Sequence, residues 1–302
     1  MEKNDSIGLS ACVTTMNAPG ELSNCLSSLW NSSVKPDWVV VADDSQDLQM
    51  QQQNRNIVEQ YDLTIYVVGS HKGVCANRNR AFEALPPTDF VAFVDDDICV
   101  ESDFIAKAKA RYKTLTPKAR KHTFLTGGKP TKLSFRGFFR PSQKPLCVDL
   151  HTAVFPTTFF QIEKWDEKIF FGYEDALLCL RAIASGFKIL HCPELNTIDN
   201  RAGKSTLKAE KVGKLTRYDI YIEAARLYVG IERYKNIFPN PLKLISFLLI
   251  YFIHMTIYLL KNRAFQARNE IFRYSNLKHL LQSGRSQSTL VFIVGLVSLI
   301  TL

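Results

Sequence analysis

Residues 90–97, FVAFVDDD, set five apolar residues directly against three aspartates. A run of about four to eight β-branched and aromatic residues is the pattern of a strand buried on both faces. Asp95, Asp96 and Asp97 therefore stand where a buried strand ends, the edge at which open α/β sheets keep their chemistry. Three adjacent carboxylates repel one another unless a cation or hydrogen-bond donors neutralise them. Carboxylate oxygens are hard ligands suited to Mg²⁺ or Mn²⁺, and Mg²⁺ is usually held by one or two carboxylates together with substrate phosphates. The triplet points to a divalent cation carrying a phosphorylated substrate, with a solvated acidic loop as the alternative.

Outward from this stretch, the apolar runs Leu9 to Val13, Trp38 to Ala42 and Leu63 to Val68 alternate with helical patterns. Leu22, Cys25, Leu26 and Leu29 recur at helical spacing, and Val74 to Leu85 reads as a helix stopped by Pro86 and Pro87. This alternation predicts βαβ units and a mainly parallel sheet. Right-handed crossovers bring the carboxyl ends of the strands to one edge, where Thr14, Asp43, Asp44 and the triplet fall. Residues 113–150, rich in Lys, Gly and Pro, read as a connecting region with two strands. Phe155 to Phe171 is strongly aromatic. Tyr173 to Gly186 has the leucine spacing of a helix with Gly186 as its stop, and Phe187 to His191 reads as a strand. A lysine-rich loop over 200–215 precedes a helical pattern from Arg217 to Tyr234.

The chain of 302 residues is long enough for one large domain, or one domain with an appendage. Its net charge of +9 hides an asymmetry: residues 1–100 hold 6 Lys/Arg against 14 Asp/Glu, leaving 32 against 15 for the rest. Clustered basic residues suit nucleic acid, an anionic membrane or an anionic substrate. Seven scattered cysteines with no C-x-x-C pair argue against a disulfide framework and a structural zinc site. The N-terminus lacks the charged and apolar regions of a secretory signal, so the expected compartment is the reducing cytoplasm.

The last 60 residues differ in kind. Leu244 to Leu260 is apolar apart from Ser246, His254 and Thr256, and barely crosses a bilayer core of about 30 Å. Thr289 to Leu302 is apolar but shorter. If both spanned, Lys261, Arg263, Arg268, Arg273, Lys278 and Arg285 would lie with a lone Glu270 on the far side, against the positive-inside tendency. The expectation is in-plane or re-entrant docking of the first segment and partial insertion of the second, with the basic residues on anionic lipid. Lys243 and Lys261 bracket the first segment like interfacial anchors; a buried helix of a soluble protein is the alternative.

The segments VTTMN (13–17), VVVADDSQD (39–47), HKGVCANRNRAFEAL (71–85), FVAFVDDD (90–97) and KWDEKIFFGYEDALLCLRAIASGFKIL (164–190) occur in this order. Together they resemble the family 2 glycosyltransferases of the GT-A fold, over about residues 7–195, and the last block looks most like the rhamnosyltransferase-type members. The resemblance implies that Asp95 to Asp97 supply the D-x-D element, with Asp97 as the leading metal ligand and Asp95 or Asp96 touching the ribose or the metal shell. It implies that Asp44 accepts a hydrogen bond from a pyrimidine base beside Thr14. The family's usual glycine is missing from DDSQD, which leaves Asp43 and Asp44 both open as the base partner. Arg78 of the N-x-G-x-x-x-A-R-N-like element would contact the nucleotide or its diphosphate, since a guanidinium forks onto anionic oxygens. Arg80 reads equally well as an exposed helix residue.

Glu174 and Asp175 match the family's E-D motif, whose aspartate acts as general base; a helix cap is the competing reading of Asp175. One base, with no second carboxylate needed as nucleophile, implies inversion at the anomeric carbon. Leu177 departs from the pattern, which has another aspartate there. Trp165 and Tyr173 are candidate acceptor faces, Phe170 and Phe171 are expected in the core, and His191 is expected to be structural.

The expected architecture is an α/β, Rossmann-like GT-A domain over 1–215 and a helical, membrane-associating region over 216–302, with apolar segments 244–260 and 289–302. The expected activity is inverting sugar transfer, dependent on Mg²⁺ or Mn²⁺, from a nucleotide-diphosphate sugar to a hydroxyl of a glycan or lipid-linked acceptor. The expected place is the cytoplasmic face of a membrane, on anionic lipid. A polyprenyl-phosphate glycosyl synthase and a non-catalytic sugar-nucleotide-binding or scaffold protein stand as alternatives. No nucleic acid partner is expected, because the basic residues form no recognisable binding module.

Overall fold

The apolar runs become strands in the computed structural model, which describes residues 7–200 and 210–277. β1 (Leu9–Thr15), β2 (Val39–Asp43), β3 (Thr64–Val68) and β4 (Phe90–Asp95) lie in parallel in the order β4-β1-β2-β3. β1, β2 and the first five residues of β4 are buried throughout, as unbroken apolar runs require. Three helices carry the chain between them: α1 (Pro19–Trp30), α2 (Leu48–Val58) and α3 (Val74–Glu83). α1 buries Leu22, Cys25, Leu26 and Leu29, the four residues at helical spacing. α2 has no such apolar stripe, burying only Asn54 and Val58; its start is set by Asp47, whose side chain accepts from the backbone N–H of Gln49 and Met50. Because β1 pairs with β2 on one side and β4 on the other, the winding reverses between β1 and β4, and a crevice opens at their carboxyl ends.

Beyond β4 come β5 (Ile98–Val100), α4 (Phe104–Lys113), α5 (Pro117–Arg120) and β6 (Thr123–Thr126). A hairpin of β7 (Thr131–Leu133) and β8 (Phe139–Pro141) follows, then β9 (Ala153–Pro156), α6 (Thr157–Phe160) and α7 (Glu174–Ala184). β10 (Lys188–His191) completes a seven-stranded sheet in the order β10-β6-β9-β4-β1-β2-β3, and β11 (Thr197–Asp199) pairs antiparallel with β5. The sheet is parallel except for β9, which runs against β4 and β6. The buried Tyr112 hydroxyl lies 3.0 Å from both the Thr123 and the Val154 carbonyl, which share its one proton, and so ties β6 to β9. Gly186, at φ +82°, ends α7 as expected of a left-handed stop.

The described residues form two compact units: 7–133, 139–167 and 174–200 make the first, and 134–138, 168–173 and 210–277 the second. The sequence-based division at residue 215 does not convey the two short excursions, 134–138 and 168–173, that belong to the second unit. That unit is built on α8 (Arg217–Glu232), α9 (Pro241–Lys261) and α10 (Arg268–Tyr274). α8 opens with a capping box, the Thr216 and Asp219 side chains each satisfying the other's backbone N–H. α9 contains the whole apolar segment 244–260 and is the one described helix long and apolar enough to cross a bilayer. Thr289 to Leu302 and residues 201–209 of the lysine-rich loop lie outside the described residues.

Candidate active site

The register of the sheet brings the first group of residues together. Thr14 stands opposite Asp95 across the β1–β4 pair, and its hydroxyl donates to Asp95 Oδ1 at 3.0 Å. One residue on, Thr15 Oγ1 donates to Asp96 Oδ2 at 2.8 Å. Asp96 is buried in this contact, while Asp95 and Asp97 remain half-buried. The triplet is thus sorted by backbone geometry, with successive residues facing different surroundings. The Asp97 carbonyl accepts the Asn200 N–H at 2.9 Å, which fastens the turn after β4.

At the end of β2 the two aspartates separate. Asp43 is fully buried; its Oδ1 accepts the Ser45 N–H at 2.8 Å, and its Oδ2 accepts from Asn54 Nδ2 at 2.9 Å and the Tyr66 hydroxyl at 2.8 Å. With no exposed surface and three donors on it, Asp43 is closed inside the protein, and Asp44 is the carboxylate nearer the edge. Asp44 Oδ1 accepts the His71 N–H at 2.9 Å and thereby shapes the turn into α3. Burial pushes the Asp44 carboxyl above the usual range, against the His71 amide that favours its ionised form. His71 and Gly73 take φ values of +56° and +97° in that turn. Gly69 packs so closely on Asp44 that a Cβ there would come within 2.0 Å of Oδ1.

α3 buries three consecutive polar residues, Asn77, Arg78 and Asn79, an arrangement that packing alone does not favour. Asn77 Nδ2 donates to the Ala42 carbonyl at 2.8 Å and holds the helix to β2. Asn79 exchanges two bonds with the Trp165 backbone, both at 3.0 Å, and donates to Glu167 Oε1 at 2.9 Å. Arg78 lies between them and forks: Nη2 reaches Asp95 Oδ1 at 2.9 Å and Oδ2 at 3.2 Å, and Nη1 reaches Glu174 Oε1 at 3.2 Å. Arg80 is exposed.

Glu174 and Asp175 form the first turn of α7. The second oxygen of Glu174 is buried and without a hydrogen-bond partner among the described residues. Asp175 Oδ1 accepts the N–H of its neighbour Ala176 at 2.7 Å. Burial first, and then the negative charge of Glu174, push Asp175 up to about 7, with Asp149 adding in the same direction. Asp95 goes the other way: burial opposes ionisation, but the Arg78 guanidinium, His151 and the Thr14 hydroxyl hold its carboxyl below the usual range. Arg78 thus holds the Asp95 anion on one arm and Glu174 on the other, and the carboxyl raised toward neutrality is Glu174's neighbour, Asp175.

Trp165, a candidate acceptor face from sequence, is 2% exposed and packs edge-on against Phe93 and Phe155 at ring distances of 5.2 and 6.3 Å, beneath Arg78. Tyr173 is likewise buried, whereas Phe170 is exposed. Asp149 and His151 act electrostatically on Asp175 and Asp95, yet neither carries a sequence signal. The strand that follows them, β9, is too short for its period to be read. His191 ends β10 opposite Thr126, in the sheet as expected.

The model of glycosyl transferase family 2 matches residues 10–160, which include β1 to β4 and the aspartate triplet. No curated protein matches the chain in sequence. Among solved structures, S. aureus TarS 1-349 superposes with a TM-score of 0.55 at 15% identity, over 91% of this chain and 80% of that one. The same protein in complex with UDP-GlcNAc gives 0.55 at 17%, over 91% and 81%. GalNAc-T7 with UDP, GalNAc and Mn²⁺ gives 0.56 at 12%, over 76% of this chain and 51% of that one. At these identities the likeness is one of fold. The family match covers half of the sequence, and the chain belongs to glycosyl transferase family 2, as a glycosyltransferase of GT-A architecture.

Proposed function

We propose that the chain moves a sugar from a nucleotide-diphosphate donor onto a hydroxyl of a glycan or lipid-linked acceptor, inverting the anomeric centre, at the cytoplasmic face of a membrane. The observation that carries this reading is Asp175: a half-buried carboxyl at a helix start, raised to about 7 and given no cationic hydrogen-bond partner among the described residues. A general base works best when its proton affinity lies near the operating pH. Asp175 accepts the proton of the acceptor hydroxyl as that oxygen attacks the anomeric carbon, and the nucleoside diphosphate departs on the opposite face. Glu174, held by Arg78, keeps negative charge beside Asp175 and so keeps it basic. Arg78, Asp95 and Thr14 form the donor wall, with Asp44 at the nucleobase end. The ligands of the two neighbours, UDP-GlcNAc in TarS and UDP in GalNAc-T7, favour a uridine donor.

The metal expectation is tested by the donor set itself. Asp95 has both oxygens on Arg78 and Asp96 is engaged by Thr15, and half-buried Asp97 stands at the D-x-D position that the family likeness gives to the cation. Among the described residues no three His, Cys, Asp or Glu gather into a metal cage. Asp97 would share Mg²⁺ or Mn²⁺ with donor phosphates, with Asp95, the other expected ligand, beside it on Arg78. A cation bound there offsets the charge that grows on the leaving diphosphate.

Titration calorimetry with UDP, with and without Mn²⁺, tests this assignment. Asp97→Ala is expected to abolish the metal-dependent part of binding, and equal binding in both conditions by the unaltered chain would sink it. Screening sugar nucleotides for hydrolysis then identifies the donor.

A further inference from the structure

α9 has two apolar faces. The inner face, including Leu244, Phe247, Tyr251, Phe252, Met255 and Leu259, is buried in the helical unit. The Tyr251 hydroxyl donates to the Glu223 carbonyl at 2.9 Å, and the Phe247 ring lies so close to Gly230 that a Cβ there would meet its Cζ at 2.0 Å. The outer face carries Leu242, Leu249, Ile253, Ile257 and Leu260, exposed to 78, 40, 58, 47 and 60%. Their spacing keeps them on one side of a 3.6-residue helix, where a surface helix of a soluble protein carries polar groups. The stripe is about 27 Å long at 1.5 Å per residue.

Charge selects what covers it. Residues 233–302 contain nine Lys/Arg and a single acid, Glu270, so they supply eight of the nine net positive charges. Glu270 itself is paired with Arg217. Exposed Lys243 flanks one end of the stripe, and exposed Lys261 and Arg263 flank the other. A second copy of the chain would bring like charges together, which costs association. An anionic lipid surface meets both features, accepting apolar side chains below its headgroups and basic ones at them.

We propose that α9 docks flat on an anionic bilayer, its Leu242 to Leu260 stripe at the acyl boundary and Lys243, Lys261 and Arg263 on lipid phosphates. The inner face stays packed in protein, so the helix lies in the membrane plane and does not cross it. This deepens the membrane reading proposed above and stands independently of the transfer chemistry.

The purified full chain is sedimented with phosphatidylcholine vesicles, with and without about one-third phosphatidylglycerol. The unaltered chain is expected to bind the anionic vesicles at least about tenfold more tightly than the neutral ones and to be released by salt. The double variant Ile253→Ser, Ile257→Ser is expected to lose about tenfold in partitioning at an unchanged melting temperature. Equal binding by that variant, equal binding to neutral vesicles, or a dimer that the variant dissolves in place of vesicle binding each overturns the proposal. Should the double variant fail to fold, Lys261→Glu with Arg263→Glu tests the charged half, and undiminished anionic binding overturns it. Sugar-nucleotide hydrolysis without vesicles is assayed in parallel. Binding without hydrolysis defeats the transferase reading and leaves the docking, and hydrolysis without binding does the reverse.

Discussion

Two acidic clusters meet at Arg78 and come away with opposite chemistry. The strand-end triplet offers Asp95, which takes both bonds of one guanidinium nitrogen. The helix-start pair offers Glu174, which takes one bond from the other, and Asp175, which takes none. Asp95 is accordingly held below the usual carboxyl range and Asp175 raised to about 7. The difference teaches that residue type does not decide which aspartate is a fixed anion and which a proton acceptor. The reach of one buried cation does.

The comparison breaks most sharply at Asp175. Asp175→Asn keeps the size and the bond to the Ala176 N–H but cannot take a proton, and kcat is expected to fall about 10²–10⁴-fold while donor affinity is kept. Single-turnover kinetics beside donor calorimetry check this; retained turnover removes Asp175 as base. The next effect is on the shared arginine. Arg78→Met leaves Asp95 and Glu174 partly buried without their cation and is expected to cost about 3–5 kcal/mol of stability, read from urea unfolding. Arg78→Lys should recover only part of it, because one ammonium cannot fork onto both carboxyls. An unchanged unfolding midpoint would mean that the two clusters are not joined through Arg78.

A subtler test uses pH. As the proposed base Asp175 must be ionised, so kcat/KM is expected to rise as pH passes through about 7. Glu174→Gln removes the neighbouring charge and should move that rise to lower pH; a rise left in place argues against Asp175 as the titrating group. Stability sharpens the contrast through linkage. Folded Asp175 keeps a proton that the unfolded chain has released, so its contribution is present at low pH and is lost as pH rises from the usual carboxyl value of 3.8 to about 7. The folded carboxyl of Asp95 is depressed, so its contribution is present above the usual value and lost as pH falls below it. Urea midpoints of Asp175→Asn and Asp95→Asn across pH should therefore diverge from the unaltered chain at opposite ends.

Much of this was legible in the chain itself. The four strands β1 to β4 match their apolar runs within two residues at each end, and in β1, β2 and β4 burial on both faces leaves an unbroken pattern. Arg78 and the E-D pair came from ordered motifs. What stayed hidden is short or polar. β6 and β9 have four residues each, too few to show a period, and the antiparallel turn of β9 depends on long-range pairing with β4. α2 has almost no apolar stripe, and only Asp47 marks its start. The fork of Arg78 joins residues 17 and 96 positions away, which spacing along the chain does not reveal.

The smallest expected effect separates core from acceptor wall. An aromatic residue beside an E-D motif invites a role in sugar stacking, yet Trp165 lies among Phe93, Phe155 and Phe160. Its indole N–H is buried with no hydrogen-bond partner among the described residues, so the polar end of the ring adds cost where it normally finds a partner. Trp165→Phe removes that orphan donor and some packing volume together, and it weakens the ring's attraction for Arg78, whose guanidinium carbon is 5.0 Å from the centroid. These changes oppose one another. The expected shift in stability is within about 1 kcal/mol, with KM for the acceptor unchanged. A large rise in acceptor KM at constant stability would return Trp165 to the acceptor site; a fall in donor affinity would instead show that the ring acts through Arg78, on the donor side of the divide between the two clusters.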